Sequence, residues 1–265
     1  MANITLAIQS AIKANNTPSK PCEDFLLVDE ANQLFIVCDG VTRSQVNNIY
    51  PVPSPAYEVA RIIADAFHEA FLTDADRTPE KMRHYAIIAN QKVAEYNENV
   101  FTEIDYVEND LACAVAIFGM VKGNVFHYLY IGDCYGLTVL PDQSPITFTY
   151  PQTALLDAHK TEIGTGRDAI ITIRRDIRNN KSHPYAYGAF TGEATALGFL
   201  ESGHIALQVG QRVILSSDGL ADYFSASPEL LSSATPDKMI DGAEILEQAQ
   251  NLRSDDKAVI VLDVR

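Results

Sequence analysis

Acidic residues recur in this chain where apolar stretches end. Asp39-Gly40 follows Leu34–Cys38, Gly132-Asp133 follows Val125–Ile131, and Asp218-Gly219 follows Arg212–Ser217. Asp255-Asp256 stands just before Ala258–Val264, and Glu23-Asp24 opens Phe25–Asp29. If these stretches are strands whose ends meet at one edge, their carboxylates gather there. Two carboxylates about 4 Å apart repel by roughly 4 kcal/mol at an effective dielectric near 20, so a group of five or six needs cations. Oxygen donors without His or Cys partners suit hard octahedral ions, Mg²⁺ or Mn²⁺. The glycines let a backbone carbonyl or a tight turn approach the same ion. Asp-Gly is also an ordinary turn pair. The pattern alone therefore leaves a metal cluster and a set of separate turns both open.

The elements that must position these acids can be read in order. Ile4–Gln9, Phe25–Asp29 and Leu34–Cys38 read as short strands, the last an unbroken apolar run of the buried kind. A loop rich in Asn, Ser and Pro, Thr42–Pro53, leads to Ser54-Pro55, an N-cap followed by Pro at the first helical position. Val59, Ile62, Ile63, Ala66, Phe67, Ala70 and Phe71 then recur at helical spacing. Thr78-Pro79 repeats the start signal for a second helix carrying Tyr85, Ile88, Ala89, Val93 and Tyr96. Leu111–Met120 and Val125–Ile131 flank a hairpin turn at Val121-Lys122-Gly123-Asn124, and Tyr135–Leu140 is a further strand. Pro141–Gly188 is the least regular part, with a strand expected at Ala169–Ile173, and reads as a flap-like insertion. Ile205–Gln208 and Arg212–Ser216 read as a hairpin around Gly210, Ile240–Leu252 as a helix and Ala258–Val264 as the last strand. Strands joined by short turns point to antiparallel sheets with helices outside, in one domain over residues 1–265.

Composition excludes several classes. The chain has 265 residues, with 35 Asp and Glu against 20 Lys and Arg, a formal charge of −15. That excess of acid argues against nucleic acid, whose backbone calls for clustered Lys and Arg. The longest apolar run, Leu111–Val121, is broken by Gly119 and too short to span a bilayer. Met1–Ser10 has neither the basic nor the apolar region of a signal peptide. The four cysteines fit neither a zinc pattern nor a disulfide framework. A reduced, cytoplasmic monomer with no membrane or nucleic-acid partner is the expectation.

The ordered motifs resemble the PPM (PP2C-like) family of metal-dependent Ser/Thr protein phosphatases, bacterial type. The likeness runs from Cys22 to Val264. "CEDFLLV" is similar to the family's first acidic motif, "LFIVCDG" to its bridging Asp-Gly strand and "YLYIGDCYG" to its Gly-Asp strand end. "FTGEATALGFLESGHIALQVGQRVILSSDGLADYF" resembles the stretch ending in Ser-Asp-Gly, and "SDDKAVIVL" the closing acidic motif. The resemblance implies an α+β, four-layer αββα sandwich of two antiparallel sheets with helix pairs outside. It implies that Asp39 bridges two Mn²⁺ or Mg²⁺ ions, with the Gly40 carbonyl on one of them. Asp218 and Asp255 would ligate one ion and Glu23 the other, with Asp24 nearby. Asp133 and Asp222 match positions of a weaker third ion, and Asp256 is the alternative to Asp255 if the register shifts by one. Asp39, Asp218 and Asp255 would carry catalysis, a metal-bridging water attacking phosphoserine or phosphothreonine on a phosphoprotein substrate.

Three departures stand out. The phosphate-binding Arg expected four residues before Glu23 falls on Ser19. Lys20 and Arg43 are the substitutes, a point charge in Lys20 replacing a fork. "DGVTRS" lacks the second glycine, and Val41 stands where some members carry a histidine, which leaves proton delivery to a metal-bound water or to another group; His68 and His183 read as ordinary helix or loop histidines. "NDLACAV" replaces a stretch of small residues. These departures keep a rival open: a non-catalytic member of the same fold that binds a phosphorylated partner. A calcium-binding module finds no Asp-rich loop motif to support it.

Overall fold

The computed structural model describes residues 4–16, 20–41, 51–141 and 143–265. Two five-stranded antiparallel sheets carry the chain. One has the order β2 (Phe25–Asp29), β3 (Leu34–Gly40), β4 (Ala114–Lys122), β5 (Val125–Ile131) and β8 (Glu201–Ala206). The other runs β1 (Leu6–Lys13), β10 (Lys257–Val264), β9 (Arg212–Ser216), β6 (Tyr135–Val139) and β7 (Ile146–Thr147).

The continuous apolar run of β3 follows from its position. Leu34, Ile36 and Cys38 pack on the helix side with Val59, Ile63, Phe67 and Tyr85. Phe35 and Val37 pack on the other side with Leu215 and Ile260 of the second sheet. A strand covered on both faces has no use for polar alternation. The helix layer consists of α1 (Pro55–Thr73) and α2 (Met82–Val100). Phe67 of α1 stacks on Phe118 of β4 with ring centroids 4.2 Å apart and planes 15° from parallel. Beyond the second sheet, Ile214, Val259 and Val261 pack against Phe224, Met239 and Ile240. The four layers are thus helix, sheet, sheet and helix, the αββα sandwich expected.

Residues 154–177 add α3 (Ala154–Ala158), α4 (Lys160–Ile163), α5 (Arg167–Ile171) and a π-helical stretch, Thr172–Ile177. The outer helices of the second sheet are α6 (Ala221–Ala226) and α7 (Pro236–Gln250).

Local signals gave the right boundaries where they were chemical. Ser54 is the N-cap of α1, its hydroxyl accepting from the Ala56 N–H. Val125 follows Lys122 across the two-residue turn Gly123-Asn124, as the hairpin reading required. The strand expected at Ala169–Ile173 is helical instead. Its β-branched residues lie within α5 and the π-helical stretch, whose Arg174 donates to the Tyr106 and Val107 carbonyls. Ile205 and Arg212 do not belong to one hairpin. Strand β8 pairs with β5 in one sheet, and β9 pairs with β10 and β6 in the other. The Gly210 turn therefore passes the chain between sheets.

Gln152 closes the base of the irregular segment. Its Oε1 accepts from the N–H groups of Gly132 and Gly188, at 2.9 and 3.2 Å. Its Nε2 donates to the Phe199 carbonyl at 2.7 Å, and its own N–H donates to the Gly132 carbonyl. Among the described residues no helix is long and apolar enough to cross a membrane.

Candidate active site

Register brings the acids to one edge. Phe25 lies opposite Cys38, so Asp24 and Asp39 stand at the same end of the β2–β3 pair. In the facing sheet, Ser216 lies opposite both Val259 and Tyr135. Asp218 just beyond β9, Asp255 just before β10 and Asp133 just before β6 therefore collect together. Two glycines make the approach possible. A Cβ on Gly40 would lie 2.7 Å from the Glu23 carbonyl oxygen and 2.9 Å from the Ala56 backbone. One on Gly219 would lie 2.0 Å from the Asp256 carbonyl oxygen.

The carboxylates press on one another. Burial, and then Asp218, Asp24, Asp133 and Asp255, hold the Asp39 carboxyl well above the usual carboxylate range. Asp39 hydrogen-bonds to Asp218, whose carboxyl is pushed to about 7 by burial and by Asp133 and Asp255. Asp24 is fully enclosed and also raised, first by burial and then by Asp256, Asp218 and Asp255, although a hydrogen bond from Ser217 opposes the shift. Its Oδ2 is buried without a hydrogen-bond partner among the described residues. Asp133 is raised by burial, against a 3.0 Å hydrogen bond from the Thr153 hydroxyl. Burial and mutual repulsion thus disfavour the charged form of each of these groups.

Glu23 and Asp256 form a second, adjoining group. The Asp256 carboxylate accepts from the Asn15 N–H and Nδ2 at 2.7 and 2.6 Å and from the Glu23 N–H at 2.9 Å. It thereby ties the end of β1, the start of β2 and β10 together. Asp255 is 45% exposed and lines the cleft, whereas Asp256 is buried. The Ser54 hydroxyl donates to Glu23 Oε1. Lys20, its side chain only 6% exposed, sits 3.5 Å from each of Glu23 Oε2, Asp255 Oδ1 and Asp256 Oδ2. Burial alone would lower its pKa; the three carboxylates outweigh burial and raise it. Arg43 lies outside the described residues.

A cavity of about 420 Å³ opens over the cluster. Asp133, Asp218, Asp222 and Asp255 line it, joined by Asp157, Glu247 and Arg253. Asp222 is exposed, in the first turn of α6. Sequence reasoning missed Thr153, Asp157 and Ser217. Nothing in their spacing marks them, because their link to Asp133, to the cavity or to Asp24 arises only from folding. His68 pairs with Asp29 at 2.8 Å, and His183 contacts Tyr185; neither is among the residues that line the cavity.

The donor chemistry fits a hard divalent cation. The donors are carboxylates, one buried oxygen on Asp24 has no hydrogen-bond partner among the described residues, and the repulsion that raises Asp39 and Asp218 is of the kind a cation would relieve. Among the described residues no three His, Cys, Asp or Glu side chains already stand as a group able to hold one ion.

No protein-family model matches the chain, and no curated protein matches it. Solved structures do. The Mycobacterium tuberculosis serine/threonine phosphatase PstP/Ppp is 17% identical with a TM-score of 0.68, covering 97% of this chain and 98% of its own. A PstP catalytic domain in complex with two manganese ions is 16% identical, with a TM-score of 0.68 and coverage of 98% and 99%. The PPM Ser-Thr phosphatase MsPP from Mycobacterium smegmatis is 16% identical, with a TM-score of 0.61 and coverage of 99% of both chains. Over its whole length, the chain is built on the fold of the bacterial PPM (PP2C-like) serine/threonine phosphatases.

Proposed function

We propose that this protein hydrolyses phosphoserine and phosphothreonine monoesters on proteins with the help of Mn²⁺ or Mg²⁺. The observation that carries the reading is the gathering of Asp24, Asp39, Asp133, Asp218 and Asp255 at one edge of this sandwich, beneath an open cavity. Asp39, Asp218 and Asp255 would hold the ions with Glu23, Asp24 and the Gly40 carbonyl, and Asp133 and Asp222 would serve a third. When bound, such ions lower the pKa of water and clamp phosphoryl oxygens for in-line attack.

The chain's own residues do the positioning. Ser217 orients Asp24, Thr153 orients Asp133, and Ser54 holds Glu23 at the start of α1. Lys20 and Arg43 are the groups proposed to meet the phosphoryl charge. Residues 141–188 act as the flap-like insertion that shapes substrate access, through Thr153 and Asp157. Phosphate monoesters are among the slowest uncatalysed hydrolyses, with enhancements reaching about 10²¹-fold. A general acid supplies only about 10²–10⁴-fold, so most of the barrier falls to electrostatics at this edge.

A second reading, a non-catalytic protein binding a phosphorylated partner, draws support from the engagement of Lys20 by three carboxylates. Hydrolysis of an aryl phosphate with Mn²⁺, with EDTA, and by Asp39→Asn separates the two. Turnover that needs Mn²⁺ and drops in Asp39→Asn by more than the about 10–100-fold typical of a residue one step from the metal supports the enzyme. Folded protein that binds a phosphopeptide without metal-dependent turnover supports the partner-binding reading.

A further inference from the structure

We propose that Arg253 binds the phosphoryl group of the substrate, joining Lys20 and Arg43 as a guanidinium fork presented from the cavity wall. The inference rests on the metal-dependent reading above and names a binding residue of that same site.

The charge of the cavity sets the problem. Asp133, Asp157, Asp218, Asp222, Glu247 and Asp255 line it, so a phosphate monoester, itself an anion, meets like charge over most of the wall. Lys20 is not among the lining residues. Its side chain is 6% exposed, and its ammonium stands 3.5 Å from carboxylate oxygens of Glu23, Asp255 and Asp256. That charge is largely matched before a substrate arrives. Among the described residues that line the cavity, Arg253 alone is cationic. It is exposed, and among the described residues its guanidinium has no hydrogen-bond or ion-pair partner. It stands near enough to Lys20 for the two positive charges to oppose each other.

Local chemistry delivers Arg253 to this place. Helix α7 ends at Gln250, and Asn251 follows in the left-handed conformation, with φ 54° and ψ 40°. Asparagine tolerates that conformation and so stops the helix. The Leu252 N–H then donates to the Glu247 carbonyl at 2.9 Å. Side chains alternate from here into β10. Ser254 and Asp256 turn to the end of β1, where they accept from the N–H groups of Asn16 and Asn15 at 3.2 and 2.7 Å. Arg253 and Asp255, the other alternate pair, line the cavity. Lys257 Nζ donates to the Asp255 carbonyl at 2.8 Å and fixes the segment from its far end. The backbone is thus pinned on both sides of Arg253 while its side chain stays free. Residues two apart on an extended chain lie about 7 Å apart on one face, a span that an arginine side chain covers. A phosphoryl group bound beside Asp255 is therefore within reach of the guanidinium, whose fork can meet two of its oxygens at once.

The test measures binding apart from turnover. Inorganic phosphate is titrated calorimetrically into the Mg²⁺-loaded wild type, Arg253→Met and Arg253→Lys. Equilibrium dialysis counts bound Mn²⁺, and urea unfolding checks each fold. Arg253→Met should weaken phosphate at least about fivefold, within the worth of one charge-assisted hydrogen bond, and raise KM for an aryl phosphate. Bound Mn²⁺ and the urea midpoint should stay as in the wild type. Arg253→Lys, which keeps the charge and loses the fork, should recover only part of the loss. Phosphate affinity in Arg253→Met that stays within fivefold of the wild type would overturn the role given to Arg253. With metal-dependent turnover intact, that result leaves the phosphatase reading standing. A change confined to Mn²⁺ uptake, the mark of a guanidinium that only screens the acids, would overturn it in the same way. A wild type that binds phosphate no better with Mg²⁺ than with EDTA, and shows no metal-dependent turnover, would overturn the phosphatase reading and this inference with it. If Arg253→Met does not fold, Arg253→Lys decides: weaker phosphate binding supports the fork, and unchanged binding overturns it.

Discussion

Asp110→Ala should destabilise the protein by about 3–5 kcal/mol, the cost of leaving a buried charge without its partner. The Arg178 guanidinium donates from Nη1 and Nη2 to the two Asp110 oxygens, at 2.9 and 2.8 Å. The side chains are 2% and 4% exposed. Burial disfavours the guanidinium charge, but Cys113 and Asp110 outweigh it and hold the pKa above its ordinary value. Arg178 Nε has no hydrogen-bond partner among the described residues to fall back on. Removing Asp110 also takes the carboxylate 3.4 Å from Arg174 Nε. Against a total stability of about 5–15 kcal/mol, the loss is a large share.

The double variant Asp110→Leu, Arg178→Met exchanges the ion pair for apolar groups. It should return to within about 1 kcal/mol of the wild type or exceed it, because the desolvation penalty disappears with the charges. Urea unfolding followed by far-ultraviolet circular dichroism reads both, since the chain has no Trp to report by fluorescence. An Asp110→Ala variant within 1 kcal/mol of the wild type, or a double variant as unstable as the single one, would refute the argument.

Two further outcomes follow from the site. Asp218, raised from 3.8 to about 7, keeps a proton in the fold that the unfolded chain has already released. Between those values the fold binds more protons, so this group's contribution falls as pH rises, by about 4 kcal/mol in all, and is lost above pH 7. EDTA-treated protein should therefore lose urea resistance from pH 5 to 7, and Mn²⁺ or Asp218→Asn should flatten the slope; a metal-free protein that gains stability over that range contradicts the assignment. Gly219→Ala would set a Cβ 2.0 Å from the Asp256 carbonyl oxygen, backbone that has little room to move. A loss of about 1–3 kcal/mol is expected in thermal or urea unfolding, and no change would show that the Asp218 turn is looser than drawn.

What was legible in the sequence was local or doubly constrained. Leu34–Cys38 could be read as a buried strand because both its faces are covered. Ser54-Pro55 could be read as a helix start because capping is a contact between near neighbours. The acids were legible as a group because each stands at a strand end, and strand ends are where antiparallel packing converges. Partner choice was not legible. The Gly210 turn has hairpin chemistry, yet β8 and β9 join different sheets because each finds its buried face elsewhere. Ala169–Ile173 has strand-like residues and is helical, since tertiary anchoring by Arg174 outweighs a weak propensity. Asp256 was the hardest. Its carboxylate is held by Asn15, more than two hundred residues away in sequence, and no spacing rule reaches that far.

Gln152 gives the segment after it an independence that its irregular sequence hides. The Gln152 side-chain amide, at the point where residues 153–187 depart, binds both Gly188, where they return, and Gly132 at the end of β5. A loop whose two feet are pinned together pays little entropy for added length, since closure cost grows only with the logarithm of the loop. The stretch between the feet, residues 153–187, is therefore the part of the chain where a change of length should cost least, while the strand ends beneath keep their acids in place.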